Sequence, residues 1–238
     1  MSADTKIYRP THQIRVVTAT SLFDGHDASI NIIRRILQDT GVEVIHLGHN
    51  RSAQEIVDAA VEEDVQGIGV SSYQGGHVEF FKYIIDLLKK NNASHIKVFG
   101  GGGGVIIPSE ISDLESYGIF KIYTPENGAK MGLQGIINHM VRAMDFSTVE
   151  EGKQDYSDLS PANRRVVANL ITAVELEKTE DRENLSPVRS EIEKKVDRSK
   201  APVLGITGTG GAGKSSLTYE LITRLLLDMD NITIAIVT

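Results

Sequence analysis

The sequence predicts an α/β protein: a flavodoxin-like, doubly wound parallel sheet of five strands, a helical linker, and then the start of a second α/β unit. Three observations lead there. From Arg15 to about Phe146, short β-branched runs alternate with amphipathic stretches, and strands joined by helices of that length lie parallel and are covered on both faces. Residues 147–200 turn highly charged, with the two signs nearly balanced and Pro187 between two helix-compatible pieces. At residue 201 a new apolar run leads into a glycine-rich stretch and another amphipathic helix.

The elements follow in order. RVVTAT (15–20) is the first strand and ASINIIRRILQDTG (28–41) the helix after it. EVIHLG (43–48) pairs with SAQEIVDAAVEEDV (52–65), and GIGVSS (67–72) with HVEFFKYIIDLLKKNN (77–92). IKVFGG (96–101) precedes SEISDLESYG (109–118), and FKIYTP (120–125) precedes GAKMGLQGIINHMVRAM (128–144). In the linker, RRVVANLITAVEL (164–176) is amphipathic enough to pack on a neighbour. APVLGIT (201–207) and NITIAIVT (231–238) read as strands flanking the helix LTYELITRLLLDM (217–229). A two-strand unit cannot bury a core of its own, so the sequence is expected to be the front end of a longer protein.

Composition narrows the function classes. The 238 residues are 40% apolar and 24% charged, as in ordinary globular proteins. A net charge of −7 disfavours general affinity for nucleic acid or an anionic membrane. With no cysteine there is neither a disulfide nor a thiolate metal site. The N-terminus lacks an apolar signal core and no run reaches membrane-spanning length, so a cytoplasmic location is expected.

In open α/β sheets ligands sit beyond the carboxyl ends of the strands. The unusual residues gather there: Asp24 to Ser29, Ser71 to Gly76, and Gly100 to Gly104. Read alone, DGHDAS is a turn in which Gly25 relaxes the backbone, Asp27 caps the following helix and His26 is simply exposed. The alternative is an imidazole pre-oriented by a carboxylate. His46, His49, His77, His95 and His139 read as exposed or locally bonded, His77 being nearest the ligand edge.

GTGGAGKS, Gly208 to Ser215, satisfies the phosphate-loop pattern G-x-x-x-x-G-K-[ST] between a strand and a helix, and marks a P-loop NTPase domain. Gly208, Gly211, Ala212 and Gly213 let the backbone turn its N–H groups toward phosphate oxygens. Lys214 supplies a charge near the β- and γ-phosphates, Ser215 a ligand for Mg²⁺, and Ser216 continues the first helical turn. The residues themselves do not choose between ATP and GTP.

DGHDAS, SSYQGG and GGGGG together resemble the cobalamin-binding domain of the methylmalonyl-CoA mutase and methionine synthase class, which carries D-x-H-x-x-G, S-x-L and G-G in this order. In that class the dimethylbenzimidazole of the cofactor lies displaced in a deep slot and a protein histidine takes the lower cobalt position. The resemblance implies His26 as the axial cobalt ligand, Asp24 as the carboxylate behind it, and Ser71 as the partner of the buried benzimidazole nitrogen. It implies Gly25, Asp27, Ser29, Tyr73, Gly75, Gly76, Gly100, Gly101 and Gly102 as further cofactor contacts, with the glycines from Gly100 to Gly104 letting the nucleotide tail pass close to the backbone. Ser29 and Tyr73 depart from the pattern, replacing its glycine and leucine.

The order of the pieces resembles the fused acyl-CoA mutases, in which a cobalamin domain (12–146 here), a helical linker (147–200) and a MeaB-like G-protein chaperone domain (from 201) precede an acyl-CoA-binding barrel. This implies adenosylcobalamin, GTP and Mg²⁺ as cofactors, an acyl-CoA substrate bound in the barrel, a homodimer, and radical interconversion of isobutyryl-CoA and n-butyryl-CoA. It implies no catalytic residue within these 238 positions. A corrinoid carrier or sensor joined to a nucleotide-driven partner is the rival reading. A phosphoacceptor receiver fits less well, because Ser71 and Ser72 follow the third strand where that fold needs an aspartate.

Overall fold

A computed structural model describes residues 6–149, 156–160, 162–180, 192–193 and 202–237. Five strands, β1 (Arg15–Ser21), β2 (Glu43–Arg51), β3 (Gly67–Ser71), β4 (Lys97–Gly101) and β5 (Lys121–Tyr123), form one sheet in the order β2-β1-β3-β4-β5, every pair parallel. The chain winds outward in both directions from β1, so the crevice of the fold opens beyond the ends of β1 and β3.

Side-chain alternation in the strands explains the two layers. Val17, Ala19, Ile68, Val70, Val98 and Ile122 point to one face and pack on α2 (Ala53–Glu62), α3 (His77–Lys90) and α4 (Pro108–Tyr117). Val16 and Phe99 point to the other and pack on α1 (Ala28–Thr40) and α5 (Pro125–Met144). Both faces are thus covered, as the near-continuous apolar strands require. Local signals set the helix ends: Ser52 and Glu55 form a reciprocal cap on α2, and Gly41 closes α1 at φ 98°.

The last helix of this layer begins three residues before the expected Gly128. Thr124 Oγ1 accepts from the Asn127 N–H at 3.2 Å, Asn127 Oδ1 accepts from the Thr124 N–H at 3.0 Å, and Pro125 takes the first helical position. Gly132, at φ 69° and ψ 169°, then breaks the helix into two segments. Only glycine adopts that geometry without strain.

The linker helix α6 (Arg164–Glu180) docks on α2 and on the amino-terminal edge of the sheet. Arg164 pairs with Glu62, and the Arg15 guanidinium bridges Glu43, Glu175 and Thr172 Oγ1. Asn169 Nδ2 donates to the Thr148 carbonyl at 3.0 Å. Pro187 and nearly all of the second charged piece lie outside the described residues.

Residues 187–238 form a separate compact unit. Its described helix, α7 (Lys214–Asp228), starts three residues before the expected Leu217. The expected strands 201–207 and 231–238 are not strands among the described residues. A strand is defined by a partner's N–H and C=O groups, and among the described residues these two segments pair with none; Val203 and Val237 are 95% and 93% exposed.

Candidate functional site

The turn after β1 is built around a buried carboxylate. Asp24 is fully buried; its N–H donates to the Ser21 carbonyl at 3.1 Å. Its Oδ1 accepts from the His26 N–H at 2.9 Å and from His26 Nδ1 at 2.7 Å, and its Oδ2 accepts from the Tyr73 N–H. Burial pushes the carboxyl up, but the N–H groups of Tyr73 and His26 and the His26 ring outweigh it and hold its pKa below the ordinary range. An ionised carboxylate only accepts, so Nδ1 carries a proton, and in the neutral ring the lone pair then lies on Nε2. Among the described residues Nε2 has no hydrogen-bond partner, and the His26 side chain is 65% exposed. Such a ring, with one nitrogen held by an acceptor and the other exposed, has the geometry that metal ligation requires.

The bland reading of the same turn is corrected in one respect. Asp27 stands at the N-cap of α1 with helical backbone angles, and its side chain caps nothing. Gly25 is exposed, with open space where a Cβ would be.

Beside this turn a cleft of about 230 Å³ runs between the sheet and the helices α1 and α5. Its floor is Gly69, Ser71, Phe99 and Gly101; Ser29, Ile30 and Ile33 form one wall, and Leu133, Ile136 and Met140 the other. Tyr73, Gly100 and Gly102 also line it. Cβ atoms built on Gly69 and Gly101 meet nothing closer than 3.7 and 3.5 Å, so those two glycines leave floor space that a side chain would fill. Thr20, paired with Ser71 across β1 and β3, has a buried Oγ1 with no hydrogen-bond partner among the described residues.

The structure reassigns the reason for several neighbouring glycines. A Cβ on Gly100 would lie 2.5 Å from Ile122 and 2.6 Å from Phe81, on the opposite face of the sheet. One on Gly102 would lie 2.2 Å from the Ser72 carbonyl oxygen. Gly103 and Gly104 have φ of 57° and 95°. The chain's own packing leaves no room for a Cβ at Gly100 and Gly102, and the turn geometry favours glycine at Gly103 and Gly104. Gly75 and Gly76 are exposed ahead of α3 and do not line the cleft; Gly76 starts the helix at φ 81°.

Tyr123, Thr124, Pro125 and Gly128 line the cleft as well and were not singled out from sequence. The rule that sites lie beyond strand ends points to them, since Tyr123 ends β5 and the others follow it. His77 has a packing role: it is buried, its Nε2 lies 2.9 Å from Glu110 Oε2, and its Nδ1 lies 3.1 Å from the Gln74 carbonyl.

In the second unit, residues 208–216 form a tight loop on the N-terminus of α7. Gly211 and Gly213 have φ of 77° and 81°. Lys214 Nζ donates to the carbonyls of Gly208 at 2.8 Å and Thr209 at 2.9 Å, and the Ala212 N–H donates to Thr209 at 3.3 Å. Ser215 and Ser216 are exposed in the first turn, and no side chain caps the helix. The first-turn N–H groups have no side-chain cap, and the Lys214 ammonium is held on the Gly208 and Thr209 carbonyls of the same loop.

Comparison with known proteins places this domain in a family. The B12 binding domain family matches residues 14–129. The fused isobutyryl-CoA mutase of Geobacillus kaustophilus is 58% identical over 232 residues, 97% of this chain and 21% of the relative. That of Cupriavidus metallidurans is 56% identical over 222 residues, 93% of this chain and 20% of the relative. The 2-hydroxyisobutanoyl-CoA mutase small subunit of Aquincola tertiaricarbonis is 37% identical over 97 residues, 41% of this chain and 69% of the subunit. The chain spans about a fifth of the length of the fused relatives. It belongs to the B12-binding family found in acyl-CoA mutases, and along nearly its whole length it is similar to the fused isobutyryl-CoA mutases.

Proposed function

We propose that this chain binds adenosylcobalamin through His26 and the cleft beside it, and serves an acyl-CoA mutase that interconverts isobutyryl-CoA and n-butyryl-CoA. The observation that carries the reading is the buried Asp24 carboxylate fixing the Nδ1–H tautomer of an exposed His26 at the switch point of the sheet. The residues fit the cofactor. Nε2 suits a cobalt ion, and the glycine floor at Gly69 and Gly101 admits a flat group close to the backbone. Ser71 and the unpartnered Thr20 hydroxyl offer hydrogen bonds to a buried nitrogen or tail oxygen.

The cofactor, when bound, supplies radical chemistry through homolysis of its cobalt–carbon bond. This chain's part is to hold and orient it. Asp24 keeps the His26 ring in one tautomer and raises its basicity, Ser71 fixes the displaced base, and the cleft walls exclude water from the tail. Ser29, Tyr73, Gly100, Gly101 and Gly102 complete the contact.

In the same reading, residues 201–238 open a G-protein chaperone domain, the boundaries being 12–146, 147–200 and 201–238. Lys214 leaves its loop carbonyls to face the β- and γ-phosphates of GTP, Ser215 ligates Mg²⁺, and nucleotide turnover is coupled to cofactor loading. Gly208, Gly211, Ala212, Gly213 and Ser216 shape the loop around the phosphates. The full protein works as a cytoplasmic homodimer, with its acyl-CoA site in a further domain. Titrating the purified chain with adenosylcobalamin and following absorbance tests the first part. Saturable binding with the benzimidazole displaced is expected; an unchanged spectrum would overturn it.

A further inference from the structure

Tyr73 and Ser29 are the two residues that depart from the cobalamin-binding pattern, and in the structure they meet. Ser29 lies in the first turn of α1 and Tyr73 in the loop after β3, yet Ser29 Oγ is 2.8 Å from Tyr73 OH. Both line the cleft, so the bond ties the α1 wall to the far loop. The tyrosine ring is wedged on its other sides. Its centroid is 5.5 Å from that of His26, with the planes tilted by 39°. Gly103 abuts it so closely that a Cβ there would lie 2.2 Å from Tyr73 Cε1. The Tyr73 N–H, meanwhile, is held by Asp24.

We propose that Ser29 and Tyr73 form a coupled latch across the mouth of the cleft, and that its opening sets the rate at which the nucleotide tail of a cobalamin enters. This rests on the cobalamin reading above. The geometry separates the moving part from the fixed part. Rotation about the Tyr73 side-chain torsions breaks the bond to Ser29 and lifts the ring from Gly103. The backbone N–H stays on Asp24, so the histidine remains oriented while the slot opens. A glycine and a leucine at these positions have no hydroxyls and could not form such a tie; the two departures are one device.

The test is stopped-flow absorbance of the 238-residue chain mixed with excess adenosylcobalamin. Tyr73→Phe and Ser29→Ala each delete one end of the tie and keep the shape of the site. Each is expected to raise the association rate constant roughly 2- to 10-fold, the worth of one neutral hydrogen bond. The double variant should be no faster than either single one, because the two ends act as a unit. The gain should appear in association without a matching rise in dissociation, since the tie is already broken once the tail is seated; most site mutations act the other way, on dissociation. Far-UV circular dichroism of each variant confirms that it is folded. Unchanged or slower association in the single variants, or multiplying gains in the double variant, would overturn the latch alone. Failure of the unaltered chain to bind adenosylcobalamin would overturn instead the reading on which the latch rests.

Discussion

Replacing Asp24 by asparagine separates what this residue does for the fold from what it does for the ligand. The carboxylate serves three donors, two of them on Oδ1 (the His26 N–H and Nδ1) and one, the Tyr73 N–H, on Oδ2. Asparagine offers one acceptor oxygen. If that oxygen stays with His26, the amide NH₂ faces the Tyr73 N–H, donor against donor, at a fully buried position. An unsatisfied buried donor costs about 1–3 kcal/mol, and urea unfolding of the cofactor-free chain should show a loss of that size. The effect on the ligand is a separate one. A neutral amide holds the imidazole less firmly and makes Nε2 less basic, the kind of change that lowers metal affinity roughly 10- to 100-fold. That is about 1.4–2.8 kcal/mol. Titration with cobalamin, followed by absorbance at a temperature where the variant is folded, reads it. If unfolding registers the loss while cobalamin affinity stays within about twofold of the parent, Asp24 is a structural residue only, and the reasoning that ties it to the ligand fails.

Three further outcomes are expected. Lys214→Ala removes the charge folded over the Gly208 and Thr209 carbonyls, and GTP affinity measured by calorimetry should fall roughly 10- to 100-fold; undiminished binding would contradict the placement of the loop. Gly101→Ala and Gly102→Ala should part company. A Cβ on Gly102 collides with the Ser72 carbonyl, so that variant should lose about 1–3 kcal/mol of stability, whereas a Cβ on Gly101 meets nothing closer than 3.5 Å and should cost cobalamin affinity and little stability. Asp145 anchors the amino-terminal arm by accepting from Tyr8, Thr11 and His12; burial raises its carboxyl, but these bonds hold the pKa well below the ordinary range. Its folded-state pKa being depressed, its contribution is complete above the ordinary carboxylate value near ~3.9 and is lost as pH falls through the folded value. Asp145→Asn should therefore cost about 1.5–3 kcal/mol at neutral pH, in a difference from the parent that shrinks in acid.

What the sequence revealed and what it hid follow from the range of the interactions concerned. Strands such as GIGVSS and helices such as HVEFFKYIIDLLKK declare themselves through local periodicity, and they fall where that reading puts them. The gathering of Asp24, His26 and Ser71 at one sheet edge was legible because strand ends in a parallel sheet lie together. Phe99, Gly100 and Gly101 alternate between faces, and that simple alternation, not a ligand, explains why Gly100 must lack a side chain beside Phe81. The early start of α5 was readable from Thr124, Pro125 and Asn127, a cap signal that the glycine at 128 obscured. The bond between Ser29 and Tyr73 was not readable. It joins residues 44 apart through a tertiary contact that no periodicity encodes. The unpaired segments before and after α7 show the opposite limit, where apolar β-branched composition suggests a strand but only a hydrogen-bonding partner makes one.

The central claim is that the free Nε2 of His26 is a cobalt ligand, and electron paramagnetic resonance of the cob(II)alamin complex tests it most directly. With ¹⁵N-histidine incorporated into the chain, the superhyperfine splitting should change from the triplet of ¹⁴N to the doublet of ¹⁵N, showing that the axial nitrogen belongs to the protein. In His26→Ala that protein-derived splitting should vanish. A splitting insensitive to the label, or one that survives unchanged in His26→Ala, would contradict the account.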